Sequence, residues 1–266
     1  ILAEKKKLVL SDEAKKRILR CREYLDKKLK SNKETIYGIN TGFGALYNTS
    51  IAEKDLGKLQ ENLVMSHACG TCDEVLQEIV KLMLLLKIQG LSLGYSGVTV
   101  ELIERMIEFF NQDVLPVIYT QGSLGASGDL APLAHLSLPL IGKGEVNFKG
   151  KKQPAEVVLK KLKLAPLKFK PKEALALLNG TQFMSSCGVW ILLKAKHLAD
   201  CADIAGAISF DAFDCRPEPF KEIIHKIRPH AGQMTVAGNF RKLLEGSGLT
   251  KRKKEHVQDP YSFRCI

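Results

Sequence analysis

Behind the cap and acidic turn Ser11-Asp12-Glu13, apolar residues fall at Ile18, Cys21, Leu25 and Leu29. Steps of three and four predict an amphipathic helix, and Leu56, Leu59 and Leu63 repeat the pattern. From Val75 to Leu91 the apolar residues lie on every side, as in a helix buried within a bundle. Val98 to Leu115 is amphipathic again through Leu102, Ile103, Met106, Ile107 and Phe110, with Pro116 predicted to end it. Asp129 opens a helix expected to run to Leu140, and the apolar-rich stretch Thr181 to Ile208 predicts one long helix. Further helices follow Pro217 and run from Gln233 to Leu244, where Gly246 closes the pattern. The one strand signal is Val146-Asn147-Phe148, reversing at Lys149-Gly150 into a small surface hairpin. Irregular loops are expected at 37–50, 120–128 and 246–260. The expected fold is mostly α, with a single small β-hairpin.

Composition changes this picture little. The 266 residues are 45% hydrophobic, 26% charged and 7% aromatic, values that exclude disorder and a collagen-like repeat. Charge needs more care, because a net +11 raises nucleic acid as a partner. The excess sits in two lysine-dominated stretches, 1–35 and 143–172, with almost no interleaved aromatics, which suits a solvated face better than a base-reading one. No nucleic-acid partner is expected. The most apolar stretch, Ile79 to Leu93, is interrupted by Lys81, Lys87 and Gln89, and no membrane span is expected. Seven scattered cysteines, an odd number, fit free thiols in a reducing cytoplasm. Cys69 and Cys72, with His67 just before them, have metal-ligand spacing but no second ligand pair, so no metal is expected.

Chemistry concentrates at Gly122-Ser123-Leu124-Gly125-Ala126-Ser127-Gly128-Asp129. Its spacing fits neither a phosphate loop nor a nucleophile elbow. One reading is a glycine-rich cap entering the helix at Asp129. The other is self-modification. Gly128 offers the least hindered amide nitrogen, and its lack of Cβ permits the compressed backbone that brings this nitrogen onto the Ala126 carbonyl carbon. Ring closure with loss of water, then loss of the Ser127 hydroxyl as a second water, leaves an exocyclic methylene on an imidazolone. That product is a strong electrophile.

Four phrases in order along nearly the whole chain carry a resemblance. They are Tyr37-Gly38-Ile39-Asn40-Thr41-Gly42-Phe43-Gly44, Gly125-Ala126-Ser127-Gly128-Asp129-Leu130-Ala131-Pro132-Leu133, Leu178-Asn179-Gly180-Thr181-Gln182 and Val257-Gln258-Asp259-Pro260-Tyr261-Ser262-Phe263-Arg264. Together they resemble the aromatic amino acid ammonia-lyases, with the histidine-using branch the nearest. The resemblance implies a 4-methylidene-imidazol-5-one (MIO) group formed from Ala126, Ser127 and Gly128, and elimination of ammonia from an L-amino acid to leave an α,β-unsaturated acid. For the histidine-using branch that is L-histidine giving urocanate, the first step of histidine degradation.

In the family pattern Tyr37 matches the base on a mobile loop, and Arg264 matches the clamp for the substrate carboxylate, a task suited to a planar guanidinium. Asn179 matches a polar contact to substrate and electrophile, and Gln258 and Tyr261 match groups lining ring and substrate. His67, with Ser66, matches the pair that sorts substrates, in its histidine-specific form. Without the family, Asn179-Gly180 reads as a turn and Arg264 as surface charge. Two alternatives stay open: a tyrosine or phenylalanine lyase or aminomutase of the same family, and a noncatalytic helical assembly protein on the same scaffold.

The resemblance also implies a helical N-terminal domain, 1–178, carrying the tyrosine loop and the Ala-Ser-Gly triad. It leads into a long-helix bundle begun by 179–266, within a homotetramer whose active sites collect residues from three subunits. It further implies that these 266 residues are the N-terminal portion of a longer subunit. The remainder is expected to add an acidic residue and an aromatic to the pocket, and the 266-residue segment alone is expected to be inactive.

Overall fold

The computed structural model describes residues 6–31, 36, 38–42, 51–52 and 55–266. Contacts divide the chain into two units, 1–190 and 191–266.

The first unit is built on α1 (Asp12–Ser31), α2 (Leu56–His67), α3 (Gln77–Ser92) and α4 (Val100–Asn111). After them come α5 (Leu130–Ser137), α6 (Ala155–Lys161) and α7 (Glu173–Leu178). Ser11 caps α1 through its Oγ, which accepts from Ala14 N at 3.2 Å. The all-round apolar pattern of α3 buries Ile79, Val80, Leu82, Met83, Leu84, Ile88 and Leu91, and with them Lys87. It packs on α4, while α2 packs on α5 and α7, around one continuous core. Leu130 begins a helix as expected, but Pro139 turns its end into a 3-10 segment, Leu138–Ile141, stopped by Gly142 at φ 76°.

Helix α4 ends at Asn111, short of the expected Leu115. Asp113 takes a left-handed φ of 54°, and Val114 N reaches back to Phe109 O at 2.9 Å. This is a Schellman closure with aspartate in place of the usual glycine. The freed Leu115–Pro116 becomes strand β2 and pairs with β4 (Glu145–Phe148), which pairs with β5 (Lys151–Pro154). The predicted hairpin is present, with Lys149 and Gly150 both at positive φ as a tight twisted turn requires. A second sheet had no sequence signal: β1 (Thr71–Glu74) pairs antiparallel with β3 (Tyr119–Gln121).

Glu173 ties this unit together at the start of α7. Buried to 2% exposure, its carboxylate accepts from Thr99 N (2.9 Å), Thr99 Oγ1 (2.8 Å) and Lys170 N (2.7 Å). Glu173→Ala leaves three donors unsatisfied and is expected to cost about 3 kcal/mol, lowering Tm by about 5–10 °C. Thermal denaturation followed by circular dichroism checks this, and an unchanged midpoint would refute it.

Helix α8 (Gln182–Ala212) is the long helix expected from the apolar run, and the division between units falls within it. The second unit continues through α9 (Glu222–Lys226), α10 (Ala231–Leu243) and α11 (Tyr261–Arg264). Its small core is aromatic: Phe220 stacks on Phe240 at 4.5 Å, and Phe210 meets both edge-on. Buried Asp259 anchors the segment before α11, accepting from Arg216 N at 2.8 Å and pairing with His256 Nε2 at 2.6 Å.

Candidate active site

The loop 122–129 is shaped by three glycines at left-handed φ: Gly122 (127°), Gly125 (77°) and Gly128 (85°). It folds back on itself, with bridging contacts from Gly128 to both Gly125 and Ala126. A third bridge joins Gly128 to Gly180, and Asp129 N donates to Gly180 O at 2.8 Å. A Cβ at Gly128 would stand 2.2 Å from that same carbonyl oxygen. Both the conformation and the space therefore exclude every side chain at 128. Ring closure of an Ala-Ser-Gly triad needs Ala126 and Gly128 folded onto one another with no side chain at 128, and the bridge between them and the Cβ-free space at Gly128 meet that need, so the residues present fit the MIO group.

The segment after α7 forms the other wall. Asn179 Oδ1 accepts from Ser127 Oγ at 3.3 Å, while Asn179 Nδ2 donates to Leu175 O at 3.0 Å. The second bond fixes the amide so that its oxygen, not its nitrogen, faces the serine. Asp129, 6% exposed, does not cap its own helix; its carboxylate accepts from Met184 N at 3.1 Å in the first turn of α8. The loop is thus stitched to the α7–α8 junction by side chain and backbone together.

His67, the last residue of α2, shares a cavity of about 160 Å³ with Cys69, Leu124, Ala126, Ser127 and Leu130. Its Nδ1 lies 2.9 Å from Leu63 O, which can only accept, so Nδ1 carries the proton and Nε2 is the acceptor. Ser66 Oγ lies 3.0 Å from Leu63 O and 3.2 Å from the same Nδ1, bracing the ring. Among the described residues Nε2 has no hydrogen-bond partner. A larger depression of about 580 Å³, beside Glu74, Glu78 and Lys81, holds none of the expected residues.

Two supporting groups had no motif of their own. His135 Nε2 accepts from Gly70 N at 2.9 Å, its ring set edge-on to Tyr119, and burial lowers its pKa, which keeps that nitrogen an acceptor. It fixes Gly70, against which Gly122 packs so closely that a Cβ there would meet Gly70 Cα at 2.9 Å. Lys87 is the second group. Its ammonium reaches Asn179 O at 2.9 Å, and burial pushes its pKa down to about 7 against the pull of Asp129. Its signal in the sequence was a charge inside an otherwise buried apolar run.

Sequence predictions fall into three groups. Ala126, Ser127, Gly128, Asn179 and His67 are gathered around one loop and cavity in the first unit. Gln258, Tyr261 and Arg264 belong to the second unit, where Arg264 Nη1 donates to Gln258 Oε1 and Tyr261 is exposed. Tyr37 lies outside the described residues. Beside it, Gly38 at φ 72° donates its N–H to Thr41 Oγ1 at 3.2 Å. Among the described residues no cluster of three His, Cys, Asp or Glu side chains could hold a metal, and no helix is long and apolar enough to cross a membrane.

A helical frame of this kind, carrying a self-folded Ala-Ser-Gly loop against an Asn-Gly turn, is that of the lyases and aminomutases acting on aromatic amino acids. The Streptomyces globisporus tyrosine aminomutase structure superposes with a TM-score of 0.91 at 31% identity, over 98% of this chain and 53% of that one. The Trypanosoma cruzi histidine ammonia-lyase structure gives 0.85 at 37% identity, over 97% and 47%. The aromatic amino acid lyase family matches residues 1–266, and the chain belongs to it. The histidine ammonia-lyase of Legionella pneumophila (strain Paris) is 47% identical over the whole chain and 53% of its own length. The chain spans about half the length of the relatives it matches.

Proposed function

We propose that the protein containing this chain is a histidine ammonia-lyase, eliminating ammonia from L-histidine to give urocanate. The observation that carries this reading is the cavity uniting His67 with Ala126 and Ser127, the His67 ring being fixed through Nδ1 so that Nε2 is left to accept. Identity of 47% to a histidine ammonia-lyase supports it.

Ala126, Ser127 and Gly128 would form the MIO group, which supplies an electrophilic methylene that makes the substrate amino group a better leaving group. His67 Nε2 accepts the imidazole N–H of the substrate, which orients the ring. Asn179 holds position 127 from the α7–α8 junction. In the reading proposed here, Tyr37 takes the weakly acidic β-proton, and Arg264 pairs with the substrate carboxylate while Gln258 orients its guanidinium. Tyr261 lines the substrate side chain. Residues 1–178 form the electrophile-bearing domain, and 179 onward begins a bundle that assembles as a homotetramer. Exposed Ile191, Leu192, Leu198 and Ile208 along α8 support that assembly, since water is a poor neighbour for such a surface. Seven cysteines with no disulfide among them support a cytoplasmic setting.

Turnover of L-histidine by the full-length protein, followed as urocanate absorbance, tests the proposal. Elimination from tyrosine or phenylalanine with none from histidine, or formation of β-amino acids, would overturn it. His67→Leu is expected to lower kcat/KM for histidine about 10- to 100-fold with an unchanged circular dichroism spectrum. An unaltered preference between histidine and phenylalanine would remove His67 from substrate choice.

A further inference from the structure

We propose that Lys87 is a positioning residue for maturation of the electrophile, holding the Asn179-Gly180 turn in the place from which it compresses the Ala126-Ser127-Gly128 loop. This inference rests on the reading of that loop given above.

Lys87 lies on α3 with 2% of its surface exposed, in the midst of Met83, Leu84, Ile88 and Leu91. An ammonium in such a place is costly unless it is repaid by directed hydrogen bonds, and an aliphatic residue of similar volume would fill the same space without that cost. Burial accordingly pushes the pKa of this lysine down to about 7. The bonds it makes converge on one short segment: Asn179 O at 2.9 Å and Gln182 Oε1 at 3.5 Å. Neither is on the loop that is to be modified. Asn179 belongs to the turn that touches that loop at three points, and Gln182 begins α8 just after it.

Those three points are Asn179 Oδ1 on Ser127 Oγ (3.3 Å), the bridge between Gly128 and Gly180, and Gly180 O on Asp129 N (2.8 Å). Lys87, buried in the core, holds the Asn179 main-chain carbonyl, while the Asn179 side chain holds Ser127. Gly180 φ of 147° leaves the turn without the rigidity of an ordinary residue, so its position depends on what grips its ends. Leu175 O grips the Asn179 side chain, and Lys87 grips its backbone.

Ring closure joins Gly128 N to Ala126 C. The Ala126 carbonyl oxygen leaves as water with the protons of Gly128 N and Ser127 N, and the Ser127 hydroxyl then leaves as a second water with its own Cα proton. No oxidant or further reagent is needed. The closing step is limited by how often nitrogen and carbonyl carbon are pressed together, which is a matter of the wall behind them. Releasing that wall lets Gly128 retreat toward Gly180.

The test measures, by intact mass of the full-length protein, the fraction of chains lighter by two waters shortly after synthesis. Wild type, Lys87→Met, Lys87→Gln and Lys87→Arg are compared as folded protein of equal helical circular dichroism. The expected result is a dehydrated fraction about tenfold lower in Lys87→Met, the loss of one charged hydrogen bond at the wall. Lys87→Gln, whose amide ends one bond short of the Asn179 carbonyl, should share the deficit, and Lys87→Arg should recover most of it. Once matured by long incubation, the Met and Gln variants should show a wild-type KM. A folded Met or Gln variant that dehydrates at the wild-type level overturns the inference, and failure of every Lys87 variant to fold overturns it too, by assigning the residue to general stability. Wild-type protein with an unmodified Ser127 would instead overturn the reading of the loop itself, and this inference with it.

Discussion

Ser127→Ala is expected to abolish the loss of two waters and to lower kcat for ammonia elimination by about 10³-fold or more, with Tm essentially unchanged. The two halves of this expectation have separate causes. Ser127 is exposed, and among the described residues its hydroxyl makes one hydrogen bond, to Asn179 Oδ1 at 3.3 Å. Losing that bond on an exposed loop costs about 1 kcal/mol at most. On the proposed function the chemistry loses far more, because the hydroxyl would be the leaving group through which the methylene forms. Without the electrophile an amine must depart from a carbon whose neighbouring proton is weakly acidic, and a 10³-fold loss corresponds to about 4 kcal/mol of barrier. Intact mass and turnover, measured on the same preparation, check both halves. Undiminished elimination by an unmodified Ser127→Ala protein would show that the loop is only a cap for α5.

Gly128→Ala should fail in a different way, losing stability as well as maturation. Residue 128 sits at φ 85°, which costs an L-residue about 1–2 kcal/mol by itself. The added Cβ would also stand 2.2 Å from Gly180 O, a backbone atom that cannot swing aside like the end of a side chain. Relief requires the loop to part from the α7–α8 junction, breaking the 2.8 Å bond between Asp129 N and Gly180 O. The expected cost is about 3 kcal/mol or more in unfolding free energy. The Ser127 peptide should remain unmodified. Denaturant unfolding and peptide mass measure these outcomes, and a matured, wild-type-stable Gly128→Ala protein would contradict the close packing described here.

The contrast between Ser127 and Gly128 shows where local pattern suffices. The triad was legible as a candidate because the chemistry proposed for it needs only three consecutive residues. Helix α3 was legible because a long run apolar on every side, without glycine or proline breaks at its start, is what a helix buried within a bundle requires. The hairpin at 145–154 was legible because Lys149-Gly150 is a turn in its own right. Strand β1 had no such mark: Thr71–Glu74 is exposed throughout, and only its partner β3 makes it a strand. The end of α4 was missed for a related reason. Pro116 is a visible stop, but the chain had already turned at Asp113, where an aspartate took the left-handed place usually given to glycine.

By itself, then, the amino-acid sequence determined the helical class, the candidate Ala126-Ser127-Gly128 triad and the kinship to aromatic amino acid lyases, because each rests on short local patterns, four of them in order in the case of the kinship. Tertiary structure alone decided how the triad is held. Asp129 reaches Met184 across 55 positions, and Lys87 reaches Asn179 across 92. His67 meets Ser127 only because α2 and the loop line one cavity. No local pattern encodes such pairs, since a hydrogen bond across the core depends on where whole helices come to rest, and that is set by the packing of all the apolar faces at once.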